Sequence, residues 1–155
     1  MTLYTIGYEG LTLADFIELL RVDGIEHLVD IREAPVSRKA GFAKDDLAKA
    51  VTAAGIRYAH VRALGCPKPI RDRYKKSGDW ARYARDFKIY LAAQTAAVED
   101  LRRSAATART CLLCYEADFN RCHRGFVAEA AIAAGERIRH ILAKPPSPQA
   151  ELALD

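Results

Sequence analysis

Short apolar runs alternate along the chain with longer stretches whose apolar residues recur every three or four positions. The first run, Leu3-Tyr4-Thr5-Ile6, is β-rich, stops at Gly7 and predicts a strand. Thr12 is a suitable N-cap with Asp15 at the reciprocal position, and Phe16, Ile17, Leu19 and Leu20 give the next helix an apolar face that ends at Gly24. His27-Leu28-Val29-Asp30-Ile31 predicts a second strand, apolar enough to be central. An irregular stretch over 33–43 precedes a predicted helix from Lys44 to Ala54, closed by Gly55. Ile56 to Val61 predicts a third strand. Gly65, Pro67, Pro69 and Gly78 predict a long loop over 62–79, followed by one long helix over 79–103. Thr110 to Tyr115 predicts a fully apolar fourth strand, 116–121 a loop, Cys122 to Ala134 a helix stopped by Gly135, and Arg137 to Leu142 a last strand.

This order predicts an α/β fold. It is expected to be a single three-layer domain over 1–143, with a mostly parallel five-stranded sheet, helices on both faces, and a Pro-rich, flexible tail over 144–155. Such sheets bind ligands beyond the carboxyl ends of their strands. The segments to inspect are therefore Gly7-Tyr8-Glu9, Asp30 to Lys39, His60 to Gly65, and Glu116 to Arg124.

With 155 residues, half of them hydrophobic, the chain has enough apolar surface for one real core and is not a disordered sequence. A net charge of +4 is too small to identify a nucleic-acid partner. No apolar stretch approaches the ~20 residues of a membrane helix. The opening residues lack a basic region followed by a long apolar one, so no export signal is read and the expected compartment is the cytoplasm. Its four cysteines, Cys66, Cys111, Cys114 and Cys122, are then expected as reduced thiols, and nothing in their spacing asks for pairing.

Four groups of residues can carry chemistry. Asp30 and Arg32 leave the same face of a buried strand, and Tyr8, Ser37 and Arg38 stand at neighbouring strand ends and in the following loop. They read either as an orienting carboxylate with cations for a ligand, or as a loop anchor. Glu116, Cys122, His123 and Arg124 form the second group. Unpaired N–H groups at a helix start, with Arg121, His123 and Arg124 nearby, favour a thiolate at Cys122 and an anion beside Arg124. His123 would move the proton. The bland alternative makes Cys122 a packing residue and His123 a cap. Cys111-x-x-Cys114 invites zinc, but residues three apart on a strand face opposite sides, so both are read as core thiols and no metal is expected. His60, sharing a strand face with Tyr58, is read equally as a ligand contact or a structural residue. The fourth group is the segment 62–88, with nine basic and three acidic residues and interleaved Tyr74, Trp80 and Tyr83. It suits nucleic acid, or it is a solvated helix face with aromatics turned inward.

The segments Thr5-Ile6-Gly7-Tyr8, Val29-Asp30-Ile31-Arg32 with Pro35 and Ser37, Tyr58-x-His60 with Leu64-Gly65, and Cys114-x-Glu116 followed by Cys122-His123-Arg124 resemble the domain-of-unknown-function 488 family over about residues 2–142. The resemblance implies a compact α/β domain and no settled reaction, and its polar motifs fall on Asp30, Arg32, Glu116, Cys122, His123 and Arg124. Cys66 stands where the family often has glycine, which would bring a second thiol near the cleft and favour a redox role with Cys122. A looser similarity to rhodanese-like domains rests on Leu28-Val29-Asp30-Ile31-Arg32-Glu33. The rhodanese nucleophile would correspond to Cys114, which is followed here by Tyr115 and Glu116 rather than a loop of donors.

The expected function is an enzyme with a small anionic or nucleotide-like ligand at the strand carboxyl ends. Cys122, His123, Glu116 and Asp30 are its catalytic candidates, and Arg32, Arg124, Tyr8, Ser37, Arg38 and His60 its ligand contacts. No cofactor, metal or membrane is expected. The alternatives are a non-catalytic nucleotide or nucleic-acid binding module, a regulatory protein with a vestigial site, and rhodanese-like sulfur transfer.

Overall fold

The structure is a computed structural model that describes residues 1–143; the Pro-rich segment 144–155 lies outside the described residues. Five strands, β1 (Thr2–Gly7), β2 (His27–Asp30), β3 (Arg57–His60), β4 (Thr110–Cys114) and β5 (Arg137–Ile141), form one all-parallel sheet in the order β3-β2-β4-β1-β5. The α/β expectation holds. Helices α1 (Leu13–Val22) and α2 (Lys44–Ala53) cover one face. Helices α3 (Lys68–Ser77), α4 (Trp80–Ala92), α5 (Thr95–Thr107) and α6 (Arg124–Ala131) cover the other. Among the described residues no helix is long and apolar enough to cross a membrane.

Period-two alternation divides the core. Leu3, Val29, Ile31 and Leu112 pack under α3 to α6, while Tyr4, Ile6, Leu28, Cys111 and Leu113 pack under α1 and α2. From β1 the chain moves toward the β3 edge over one face, and from β3 it returns toward the β5 edge over the other. Right-handed crossovers require that change of face when the direction reverses. Neighbouring β1 and β4 therefore send their connections opposite ways, which opens a crevice beyond their carboxyl ends. The register sets Gly7 beside Cys114, and Asp30 beside both His60 and Leu113, at that same edge.

Three local expectations are corrected. Within the expected loop at 62–79 the chain forms α3, because Pro67 and Pro69 mark a helix start and Gly78, at φ +66°, its left-handed cap. The single helix over 79–103 is two, broken at Ala93 and Gln94. Buried Tyr83, Phe87, Leu91, Leu101 and Ala105 keep a helical spacing across the break, so periodicity does not reveal it. An unbroken helix of that length would run far past the short strands beneath it, and the chain must turn back to start β4. Finally, α6 begins at Arg124, so Cys122 sits in extended backbone ahead of the helix, after a short 3-10 turn at Phe119–Arg121.

Candidate functional site: a cysteine pair beside a buried arginine

A cavity of about 470 Å³ opens beyond β1, β2 and β4. Its wall includes Tyr8, Arg32, Cys66, Cys114, Glu116 and His123, with Arg71, Tyr74 and Lys75 from α3, Tyr83 from α4, and Arg121. Asp30, Cys122 and Arg124 stand behind that wall, while Ser37, Arg38 and His60 lie away from it.

Two glycines let the backbone close here. A Cβ on Gly7 would collide with the carbonyl of Glu116, and one on Gly65 with the backbone of Glu33. Neither position is a turn; both are close approaches that only glycine permits.

On the α1/α2 side, Asp30 is fully buried and bound by Arg32, with Nε to Oδ1 at 2.9 Å and Nη2 to Oδ2 at 2.7 Å. The Tyr58 hydroxyl donates to the same carboxylate, as does the backbone N–H of Arg32. Arg32 Nη1 donates to the Phe42 carbonyl at 2.6 Å and to the Tyr8 hydroxyl at 3.4 Å. Burial works against the Arg32 charge, but the Asp30 pair outweighs it and the guanidinium pKa is held above its ordinary value. His60 Nε2 bonds the carbonyl of Arg32 at 2.7 Å. These contacts anchor the loop after β2. Four of the five Arg32 side-chain N–H groups donate inside the protein, Arg32 itself stays in the cavity wall, and His60 supports it from behind. Ser37 caps the backbone of Lys39, and Arg38 is exposed.

On the other side, Arg124 is completely buried. Its Nε donates to Thr5 Oγ1 at 3.1 Å, Nη1 to the Glu116 carbonyl and to Cys114 Sγ at 3.1 Å, and Nη2 to the Ala117 carbonyl at 3.2 Å. Among the described residues no carboxylate lies within ion-pair distance of it, and burial pushes its pKa down. Arg124, expected as an anion clamp, ties the loop after β4 to β1.

The structure brings the sulfurs of Cys114 and Cys122 into contact, with their Cα atoms 7.7 Å apart, which corrects the expectation that nothing pairs the cysteines. Strand parity does hold: Cys111 points into the α1/α2 core, and Cys114 points the opposite way. Cys66 and Cys111 are free and buried, and burial raises the Cys66 thiol to about 11. The thiol that meets Cys122 is thus Cys114 and not Cys66. Cys122 Sγ accepts the backbone N–H of Arg124 at 3.5 Å and lies 3.9 Å from His123 Nδ1. His123 Nε2 is 2.8 Å from the Ile31 carbonyl, which only accepts, so the proton sits on Nε2 and Nδ1 is free to accept. Burial lowers the His123 pKa to about 4.

The Glu116 carboxylate meets its own backbone N–H, and burial outweighs that bond and raises its pKa. Its carboxylate and the sulfurs of Cys114 and Cys122 offer ligand atoms all within 4.8 Å of one another. That trio is three donors beside a resident guanidinium, which supplies the positive charge a dication would bring.

A family model described as "Domain of unknown function DUF488" matches residues 12–131, from the cap of α1 to the end of α6. The chain belongs to the DUF488 family. Comparison with curated proteins and with solved structures gave no match. In this DUF488 domain the matched stretch holds Asp30, Arg32, Glu116, Cys122, His123 and Arg124, while β1, with Thr5 and Gly7, and Tyr8 just after it lie before that stretch.

Sequence reasoning missed Cys114 as a cavity residue, and with it Arg71, Glu33 and Tyr83. Arg71 pairs with Glu33 at 2.8 Å in the wall. The basic charge of 62–88 was the one available signal for Arg71 and Lys75. The aromatics of that segment pack on one another, Tyr83 buried and Tyr74 and Trp80 half-buried: Trp80 stacks on Tyr83 at 4.7 Å, and Tyr74 meets both. Much of its charge is neutralised locally, with Arg73, Arg82 and Arg85 sharing Asp86, and Lys68 holding Asp72.

Proposed function

We propose that this cleft is a thiol-based active site for a small anionic molecule, nucleotides included. Cys114 is the sulfur that faces the ligand. The observation that carries the reading is the buried guanidinium of Arg124, which makes no ion pair among the described residues, against the one sulfur of the cysteine pair that lies in the cavity wall. A cation in that position favours thiolate over thiol, and thiolate is the reactive form. Lys75 and Arg121 at the wall form no ion pair among the described residues and are available to an anion. Glu116 and His123 are the proton acceptors, Cys122 is the second sulfur, and Asp30 with Arg32 positions the β2 loop. The mutually packed aromatics of 62–88 give less support to a nucleic-acid platform than to steering of a small anion.

The test is the alkylation rate of each cysteine against pH in the dithiothreitol-reduced, folded protein, read by peptide mapping. Cys114 is expected to react with a midpoint well below the free-thiol value of about 8.5, and Arg124→Met to raise it. A Cys114 no more reactive than fully buried Cys111 would overturn the reading, leaving a binding module.

A further inference from the structure

The two sulfurs of the pair have different surroundings. Cys114 Sγ lies in the cavity wall and touches a guanidinium; Cys122 Sγ is behind it, beside the unprotonated Nδ1 of His123. One sulfur thus has a cation and a place in the cavity wall, the other a base and a partner sulfur in contact. Cys111 is sealed in the opposite core and takes no part.

We propose that Cys114 and Cys122 are a dithiol–disulfide couple that reduces low-molecular-weight disulfides bearing carboxylates, Cys114 attacking and Cys122 resolving. The proposal rests on the thiol reading of the cleft and adds to it the substrate class and the order of events. The substrate carboxylates face Lys75 and Arg121, and its apolar part lies between Val36, Tyr74 and Tyr115.

The Cys114 thiolate attacks one substrate sulfur. A Cys114–substrate S–S bond forms, the substrate's own S–S bond breaks, and the first thiolate leaves. Cys122 then attacks Cys114 Sγ as its proton passes by way of His123 Nδ1 toward the departing thiolate. The Cys114–Cys122 bond forms, and the second substrate thiolate leaves and takes up that proton. The protein has lost two electrons and the substrate has gained them, leaving one thiol and one thiolate. An external dithiol reverses these steps on the protein disulfide and is itself oxidised.

The experiment uses the full chain, reduced with dithiothreitol and freed of it, and the dianionic disulfide dithiobis(nitrobenzoate) as probe, with peptide mapping of the products. Wild type is expected to release two equivalents of thionitrobenzoate from this pair and to end as the unlabelled Cys114–Cys122 disulfide. Cys122→Ser is expected to release one and to retain a stable mixed disulfide on Cys114. Cys114→Ser is expected to lower the rate at Cys122 by about a hundredfold, as attack rate follows thiolate fraction and access. A fast Cys114 whose mixed disulfide persists in wild type would overturn the proposal while leaving the thiol reading intact; first labelling at Cys122 would overturn the proposal and the assignment of Cys114 as the ligand-facing sulfur. Neither cysteine outpacing Cys111 would remove both. A protein carrying stoichiometric zinc, with both sulfurs unreactive until chelation, would also overturn it in favour of a metal at Cys114, Glu116 and Cys122.

Discussion

Arg124 Nη1 lies 3.1 Å from Cys114 Sγ, ten residues earlier in the chain, and the rest of its guanidinium is held by Thr5 and the carbonyls of Glu116 and Ala117. The one side chain therefore fixes the loop after β4 and sets the charge beside a sulfur. Arg124→Met should leave the part-buried Glu116 carbonyl without its donor at about 1–3 kcal/mol, while Thr5 keeps His140 and the carbonyl of exposed Ala117 meets water, and Arg124→Lys, which keeps the charge without the fork, should lose less. Urea unfolding measures the loss. Two variants that unfold at the wild-type midpoint would show that the Glu116 carbonyl finds water as well.

Asp30 and Arg32 form the corresponding anchor on the other side of the sheet. Replacing one member of a buried pair leaves the other charge uncompensated, so Asp30→Asn should cost about 3–5 kcal/mol. A measured cost near that of an exposed pair, below about 1 kcal/mol, would contradict the burial.

His123 gives stability a pH dependence with a definite sign. Its folded pKa is about 4 against an ordinary 6.5, so the unfolded chain takes the proton first as pH falls. Its contribution is complete above pH 6.5, is lost between 6.5 and 4, and totals roughly 3 kcal/mol. His27 and His140, also held down by burial, act in the same direction. Glu116, held up by burial, acts in the opposite one: its contribution is present below the unfolded carboxyl pKa and fades as pH rises through the folded one. The urea midpoint should drop from pH 7 to pH 5, and drop less in His123→Gln, which can still donate to the Ile31 carbonyl. Equal drops in the two proteins would assign the effect elsewhere.

Gly7→Ala adds a methyl group where the Glu116 carbonyl and the Arg124 guanidinium already are. Forcing that carbonyl away should cost about 1–3 kcal/mol and disturb the contact between Arg124 and Cys114. Gly55→Ala is the comparison: nothing lies near its Cβ, so its cost comes from its φ of +84° alone. Both effects are expected in thermal unfolding, but only Gly7→Ala should change Cys114 alkylation. A change in both would mean that general destabilisation, not the local contact, governs the sulfur.

The apolar runs of the chain determined the five strands, their parallel order of travel, and the edge of the sheet at which Tyr8, Asp30, Glu116 and the Cys122-His123-Arg124 step collect. They also determined that Cys111 and Cys114 face opposite sides, because side-chain direction follows from a period of two. Whether Cys114 meets Cys122 is decided by the path of the loop and 3-10 turn between them, which no periodicity encodes. The roles of Arg32 and Arg124 were decided in the same way. As bare residue types they are anion binders, and in the fold their guanidinium groups also hold the carbonyls of Phe42, Glu116 and Ala117. Every residue carries the same carbonyl, so a sequence does not mark which ones a buried guanidinium will find; only the folded backbone brings them to it.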